Sequence, residues 1–266
     1  MFNIVLTNDD GVHSPGLRAA VQAVLPLGKV TVLAPSTQQT GMGRSFTGDF
    51  DSPLIPVDYE VDGRQVAAYH CAGSPAAVIH HGLRVLFHDR MPDLLISGIN
   101  YGENVGTNVT VSGTVGAAFE GAAHGIPAIA ASLETPHGEY YHYSEQSWEA
   151  AAYFVAYFGD RILQSSLPFD VDVMKIDVPD TATQETAWRI TRVSRRPYYM
   201  SQLEPSLEST LNDAKLLINP ERHSAEADSD IYAVTVDRVV SVTPLSLDCT
   251  SRTDLAALHA LFQEKK

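Results

Sequence analysis

The chain is poor in cysteine, in positive charge and in long apolar runs, and each shortage excludes a class of protein. Its 266 residues include two cysteines, Cys71 and Cys249, too few for a disulfide scaffold and without CxxC spacing. Eighteen basic residues stand against 32 acidic ones, and the net charge of −14 opposes binding to a nucleic-acid backbone. The N-terminal run MFNIVLTNDDG resembles neither a signal peptide nor a membrane span. We therefore expect a cytoplasmic protein whose main partner is neither a membrane nor a nucleic-acid polymer.

The rest of the composition is that of a globular protein, and its first 135 residues alternate between two patterns. Short apolar runs predict buried strands at 2–7, 30–34, 93–97 and 127–132. Helical spacing predicts helices at 17–25, 74–87 and 114–124. Strands that alternate with helices imply a parallel sheet covered on both faces, and therefore the α/β class.

The pattern changes after residue 135. A loop rich in tyrosine and histidine is predicted at 134–146, followed by a helix at 147–163. The remaining segments favour strands at 171–178, 188–193, 215–218 and 231–242, with a terminal helix at 253–262. We predict a Rossmann-like α/β core at 1–165 and a β-rich C-terminal extension at 166–266, which could serve as an association arm.

Two adjacent aspartates follow the first predicted strand. Ligands of open α/β sheets bind beyond the carboxyl ends of the strands, where Asp9 and Asp10 stand. Neighbouring carboxylates repel each other unless a proton or a cation intervenes, and oxygen ligands suit Mg²⁺ and Mn²⁺. Aspartate before Gly11 is also common in turns and helix caps. The pattern leaves a metal anchor and a turn both open.

Two later loops carry oxygen donors that could reach the same edge of the sheet. Thr40 follows the second strand and offers a hydroxyl, and Asn100 and Asn104 follow the strand at 93–97. Loops rich in asparagine and glycine are also common as ordinary turns, so a turn without any ligand remains the alternative.

A helix entrance of small residues is the fourth candidate. Ser112, Gly113 and Thr114 open the helix predicted near 114, where backbone amides and the helix dipole suit an anion without lysine or arginine. An ordinary N-cap by Ser112 or Thr114 explains the same residues.

Taken in order, these motifs have a family likeness. Over most of its length the chain resembles the survival protein E (SurE) family of metal-dependent 5′-nucleotidases. The main matching segments are TNDDG, APSTQQTG, SGINYGENVG and SGTVGAAFEGA. Further matches are AGSPAA, KIDVPD and DSDIYAVTVDRVVSVTPL. The resemblance implies a Rossmann-like, mostly parallel sheet flanked by helices, with a β-rich C-terminal arm exchanged between subunits. It also implies a homodimer or homotetramer.

The resemblance gives each motif a role in the hydrolysis of a nucleoside 5′-monophosphate to nucleoside and phosphate. One divalent cation per subunit, Mg²⁺ or Mn²⁺, would be held by Asp9, Asp10, Thr40 and Asn100. The substrate phosphate would be contacted by Asn104, Ser112, Gly113 and Thr114. Asp9 and Asp10 are also the catalytic candidates, because one of them could accept a proton from the attacking water.

Two departures from the family pattern affect details. Thr40 stands where serine is usual, which keeps the hydroxyl and adds a methyl group. The turn Gly-Ser-Pro-Ala-Ala at 73–77 replaces the commoner Gly-Thr-Pro-Ala-Asp and loses a carboxylate, so that substrate preference could shift.

Other functions remain open at this point. The segment DFDSP at 49–53 is similar to the DxDx[TV] motif of haloacid-dehalogenase phosphatases, although Pro53 replaces the expected Thr or Val and no buried strand precedes it. A non-catalytic nucleotide-binding module is the second alternative. His80 and His81 lie in a predicted helix without companion ligand spacing, so packing or solvent contact is expected there and zinc is not implied.

Overall fold

Strands and helices alternate regularly in the first part of the chain and less regularly after it. The computed structural model describes residues 1–135 and 146–263. The strands are β1 (Phe2–Thr7), β2 (Gly28–Pro35), β3 (Ile55–Pro56), β4 (Glu60–Val61), β5 (Arg64–Gln65), β6 (Ala67–Cys71), β7 (Leu94–Tyr101), β8 (Ala128–Leu133), β9 (Val173–Val178), β10 (Trp188–Ile190), β11 (Tyr199–Gln202), β12 (Lys215–Ile218) and β13 (Val240–Leu245). The α-helices are α1 (Pro15–Val24), α2 (Pro75–Leu86), α3 (Gly113–Ala123), α4 (Glu149–Gln164), α5 (Asp230–Thr235) and α6 (Leu255–Phe262).

Nine strands form one sheet, in the order β10-β13-β9-β8-β7-β1-β2-β6-β3. The central strands from β9 to β6 are all parallel to their neighbours. At the edges, β3 is antiparallel to β6 and β13 is antiparallel to β9. The prediction of an α/β fold with a mostly parallel sheet is confirmed.

Helices cover both faces of this sheet. In β1, Ile4 and Leu6 pack into the core beneath α1 and α4, whereas Val5 packs into the core beneath α2 and α3. Successive side chains of a strand point to opposite faces, so a strand covered on both sides must be apolar throughout. This double burial explains why β1 is an uninterrupted apolar run in the sequence.

The chain reverses its direction of winding next to β1. From β1 it passes through α1 to β2 on one side, and it later returns to β7 on the other side. Thr7, the last residue of β1, pairs with Ser97 in the middle of β7. A crevice opens where the strand order reverses, and this is where ligands of open α/β sheets bind.

The C-terminal part of the chain both extends the sheet and departs from it. Residues beyond 165 contribute β9, β10 and β13 to the main sheet, while β11 and β12 form a separate antiparallel ribbon. The division at residue 165 stays a prediction. Among the described residues, no helix combines the length and the apolar character needed to cross a lipid bilayer.

One predicted strand is wrong in its first half. The β-branched run at 231–242 forms α5 first and becomes a strand only at β13. The Ser229 hydroxyl accepts the N–H of Tyr232 at 3.3 Å and caps the helix, and Ile231 and Val234 pack against Tyr198. This packing outweighs the β propensity of the isolated sequence. The short strands β3 to β6 were not predicted either.

A close backbone contact fixes the loop after β2 to α3. The N–H of Gly43 donates to the carbonyl of Val111 at 2.9 Å, and the Gly43 carbonyl lies where a Cβ atom of Gly116 would stand. Only glycine at position 116 allows this approach.

We expect Gly116→Ala to destabilise the protein by about 1–3 kcal/mol, because the loop must move away from α3. The matched control is Gly159→Ala in α4, whose Cβ would meet Leu27 and Leu94 at an ordinary 3.6 Å. Because alanine has a higher helix propensity than glycine, Gly159→Ala should stabilise the chain by up to about 1 kcal/mol. Urea unfolding measures the free energy of unfolding of both variants. An equal change in the two variants would contradict the prediction.

Candidate metal and phosphate site

Asp9 and Asp10 lie buried at the crevice, 5% and 7% exposed. The Thr114 hydroxyl donates to Oδ1 of Asp9. Asp10 accepts the backbone N–H of Tyr101 at 3.1 Å on Oδ2 and the side-chain amide of Gln38 at 3.3 Å on Oδ1. The pair is therefore held by groups that follow β2 and β7 and by the first turn of α3.

Burial makes the two carboxylates costly to ionise together. It raises the pKa of Asp9, against the lowering effect of hydrogen bonds from Thr114 and from the backbone of Gly113. It raises the pKa of Asp10 to about 8, and the charge of Asp9 adds to the effect. A bound cation would relieve both the burial cost and the repulsion, so the residues present fit a hard divalent ion.

Of the two predicted neutral ligands, Thr40 follows β2, whereas Asn100 lies within β7, which extends four residues beyond the strand end predicted at 97. The N–H of Gln39 donates to the backbone carbonyl of Asp9 at 2.6 Å, which brings the neighbouring Thr40 to the same end of the sheet. Thr40 itself is exposed. Asn100 donates its side-chain amide to the Gly102 carbonyl at 2.6 Å, so its side-chain oxygen is the atom it can offer a cation. The assignment of both residues as ligands stays a prediction.

The helix entrance has two uses. The Ser112 hydroxyl accepts the N–H of Val115 at 3.1 Å, which is the ordinary N-cap that the sequence left open. The Thr114 hydroxyl donates to Asp9, and the backbone of Gly113 packs against the same side chain. A Cβ atom on Gly113 would lie 2.7 Å from Oδ2 of that aspartate. The positive end of α3 is therefore directed at the carboxylate pair.

Asn104 is held from both sides. Its backbone N–H donates to Asp177 at 2.7 Å, and its side-chain amide donates to the hydroxyl of Ser132 at 2.9 Å. The position of Asn104 therefore depends on β8 and β9, which follow it in the chain. Its contact with phosphate stays a prediction.

A buried ion cluster lies behind Asn104. Lys175 forms ion pairs with Asp177 and with Asp230, the latter at 3.2 Å, and all three side chains are fully buried. Burial alone would lower the pKa of Lys175, but the charges of the two aspartates raise it. Asp230 also accepts the N–H of Gly106 at 3.1 Å. Sequence reasoning noted the KIDVPD and DSDIY motifs but gave these residues no role.

Glu103 is a further buried acid that is not evident from the sequence. It accepts the Tyr199 hydroxyl at 2.8 Å and the N–H of Thr135 at 3.3 Å. Burial raises its pKa to about 7, and the neighbouring Glu134 adds to the effect. Only tertiary contacts from β8 and β11 distinguish it from an ordinary loop glutamate.

The remaining candidates lie away from this crevice or outside the described residues. Asp49 is an exposed residue of a turn, where it accepts the N–H of Asp51 at 3.0 Å, and it does not follow a buried strand. The dehalogenase-type alternative is therefore not favoured. The aromatic and histidine loop predicted at 134–146 falls mostly on 136–145, outside the described residues.

Several known proteins are similar to this chain over most of its length. The family model described as "Survival protein SurE" matches residues 4–200. Similar curated proteins include "5′-nucleotidase SurE" of Methanothrix thermoacetophila, 36% identical over 99% of both chains. The protein of the same name from Thermococcus gammatolerans is 37% identical over 99% of this chain and 97% of its own. The crystal structure of the SurE protein from Aquifex aeolicus matches with a TM-score of 0.74 and 30% identity, covering 98% of this chain and 100% of that one.

Glu103→Gln should reduce the pH dependence of stability. The pKa of Glu103 in the folded chain, about 7, exceeds its ordinary value of 4.5. The protonated Glu103 side chain therefore contributes its full share of the unfolding free energy below about pH 4.5, and this contribution is lost as the pH rises through about 7. The neutral variant lacks this loss, and the change in unfolding free energy between about pH 5 and about pH 8 should shrink by up to about 3 kcal/mol. Urea unfolding in chelator measures it. The exposed Glu208→Gln is the control, and an identical pH dependence in both variants would refute the prediction.

Proposed function

Because the chain belongs to the survival protein SurE family, we propose that it is a metal-dependent 5′-nucleotidase that hydrolyses nucleoside 5′-monophosphates to nucleoside and phosphate. The observation that carries the proposal is the buried pair of Asp9 and Asp10 at the switch point of the sheet. A buried pair of carboxylates is costly for stability and suits the binding of a cation.

The cation of this proposal is Mg²⁺ or Mn²⁺, one per subunit. Asp9 and Asp10 would hold it with charged oxygens, and Thr40 and Asn100 with neutral ones. The set contains only oxygen donors, which is the set these ions prefer. When bound, such an ion neutralises charge on a phosphate oxygen and makes a water molecule more acidic.

The chain's own groups would orient the phosphate and move the proton. Ser112, Gly113 and Thr114 at the start of α3 would contact the phosphate together with Asn104, and the positive end of the helix would favour its negative charge. One aspartate of the pair would accept the proton of the attacking water. Hydrolysis of the monoester then releases the nucleoside and inorganic phosphate.

Asp9→Asn should abolish most turnover without unfolding the chain. We expect kcat/KM for nucleoside monophosphates to fall by about a thousandfold, since the variant loses a charged ligand worth several kcal/mol in the transition state. Thermal stability should stay equal or rise, because one of two repelling charges is gone. Phosphate release from a nucleotide panel with Mg²⁺, Mn²⁺ or chelator measures the effect.

Asp49→Ala is the control for that assay and should retain full activity. Loss of turnover in Asp49→Ala with Asp9 intact would instead support the dehalogenase-type mechanism. Tight nucleotide binding without phosphate release under any metal condition would leave a binding module as the function.

We also propose that the chain forms a homodimer or homotetramer through its C-terminal part. The ribbon of β11 and β12 and its connecting segment expose several leucines, among them Leu207, Leu211, Leu216 and Leu217. Helix α6 exposes Leu255, Leu261 and Phe262. Apolar side chains concentrated on projecting elements are typical of association surfaces.

The double variant Leu211→Glu/Leu217→Glu should dissociate the oligomer, because burying two new charges in an apolar interface is unfavourable. Phe169→Glu is the matched control, since Phe169 is fully exposed outside the ribbon. Sedimentation equilibrium gives the mass of each variant. A monomeric parent protein, or a variant that associates as strongly as the parent, would rule out this surface.

For the compartment we propose the cytoplasm. Both cysteines are free thiols, Cys71 buried and Cys249 exposed. An exposed free thiol is better suited to a reducing compartment than to an oxidising one.

A further inference from the structure

Two histidines and a glutamate meet between α2 and α3, on the face of the sheet covered by these helices. Nδ1 of His80 lies 2.9 Å from Oε1 of Glu120, and Nε2 of His124 lies 3.2 Å from the same oxygen. The three potential ligand atoms are all within 4.8 Å of one another. The sequence analysis found no companion for His80 because its partners are at least 40 residues away in the chain.

The carboxylate of Glu120 is oriented for a ligand on one side only. Its other oxygen, Oε2, accepts a hydrogen bond from Nε of Arg44 at 2.9 Å and lies 2.9 Å from Nη2 of the same guanidinium. The Glu120 side chain is 3% exposed, whereas those of His80 and His124 are 31% and 21% exposed. A buried, hydrogen-bonded carboxylate with two partly accessible imidazoles leaves an ion a path from solvent.

The geometry is close to that of a tetrahedral metal centre. Glu120 and His124 are four residues apart on α3, so both side chains lie on one face of the helix. Zn²⁺ binds histidine nitrogen and carboxylate oxygen at about 2.0–2.2 Å, which places neighbouring ligand atoms of a tetrahedron about 3.3–3.5 Å apart. The nitrogen–oxygen separations of 2.9 and 3.2 Å need to widen by a few tenths of an ångström, and the two ring nitrogens, which lie within 4.8 Å of each other, need to approach by at most about 1.4 Å.

We propose that His80, Glu120 and His124 form a binding site for a divalent transition metal such as Zn²⁺. The ion replaces the protons that join the two ring nitrogens to Oε1, and a water molecule completes the tetrahedron. Two imidazoles and one carboxylate select Zn²⁺, Ni²⁺ or Cu²⁺ over Mg²⁺ and Mn²⁺, which prefer oxygen alone. The proposal does not depend on the nucleotidase activity.

This site is separate from the aspartate pair. Glu120 follows Thr114 by six residues on α3, a rise of about 9 Å along the helix axis. The donor sets also differ, since the pair of Asp9 and Asp10 offers only oxygens. Excess Mg²⁺ can therefore be used to occupy the oxygen site while the histidine site is titrated.

The test is a zinc titration of the tag-free, chelator-treated chain in excess Mg²⁺, in competition with a chromophoric chelator. We expect the parent to bind one Zn²⁺ that is lost, or weakened at least about tenfold, in His80→Gln and in His124→Gln. His81→Gln is the matched control, because His81 is the exposed neighbour on the same helix, and it should bind as the parent does. Equal binding by the parent and both ligand variants would overturn the proposal, as would a parent that binds no Zn²⁺.

A spectroscopic measurement on the unaltered chain covers the case in which a histidine variant does not fold. X-ray absorption at the zinc edge should show two imidazole nitrogens among the ligands of the ion bound in excess Mg²⁺. A first shell of oxygens alone would overturn the proposal. Glu120→Gln, which keeps the side-chain shape and removes the charge, should weaken Zn²⁺ binding in the same titration.

Discussion

The repulsion between Asp9 and Asp10 in a buried crevice is the constraint on which this end of the protein depends. Each carboxylate is held by groups from a different element: the Thr114 hydroxyl at the start of α3, and the Tyr101 N–H at the end of β7. These neutral donors orient the pair without cancelling its charge. Glycine is needed at position 113 for a related reason, because a side chain there would collide with Asp9.

An acidic protein that acts on an anionic substrate cannot depend on its overall field. With a net charge of −14, local groups must attract the phosphate. Under the proposed function, the start of α3 would provide them as groups that carry no full charge and need no counter-ion. Arg44, in the same loop as Thr40, is paired with Glu120 instead. In the proposed site, a cation and a helix terminus would replace the lysine and arginine of many phosphate sites.

The sequence was most informative where local pattern and burial agree. β1 and the aspartates after it could be predicted because a doubly covered strand must be apolar and its carboxyl end marks the ligand crevice. The run at 231–242 was misjudged because packing of α5 around Tyr198 is a tertiary effect. Glu103, Lys175 and the partners of His80 escaped prediction for the same reason, since each acquires its meaning from contacts made far along the chain.

Lys175 joins three distant parts of the molecule, and this has a consequence for biosynthesis. Asp177 holds the backbone of Asn104, and Asp230 holds that of Gly106, so the backbone of the loop that carries Asn104 is held by residues at least 73 positions later in the chain. A nascent chain that has left the ribosome only as far as α4 already contains every proposed ligand, yet it lacks the lysine and both acids. We therefore expect this loop to reach its final position late in translation, because a chain that ends before Asp230 lacks the acid that holds the backbone of Gly106.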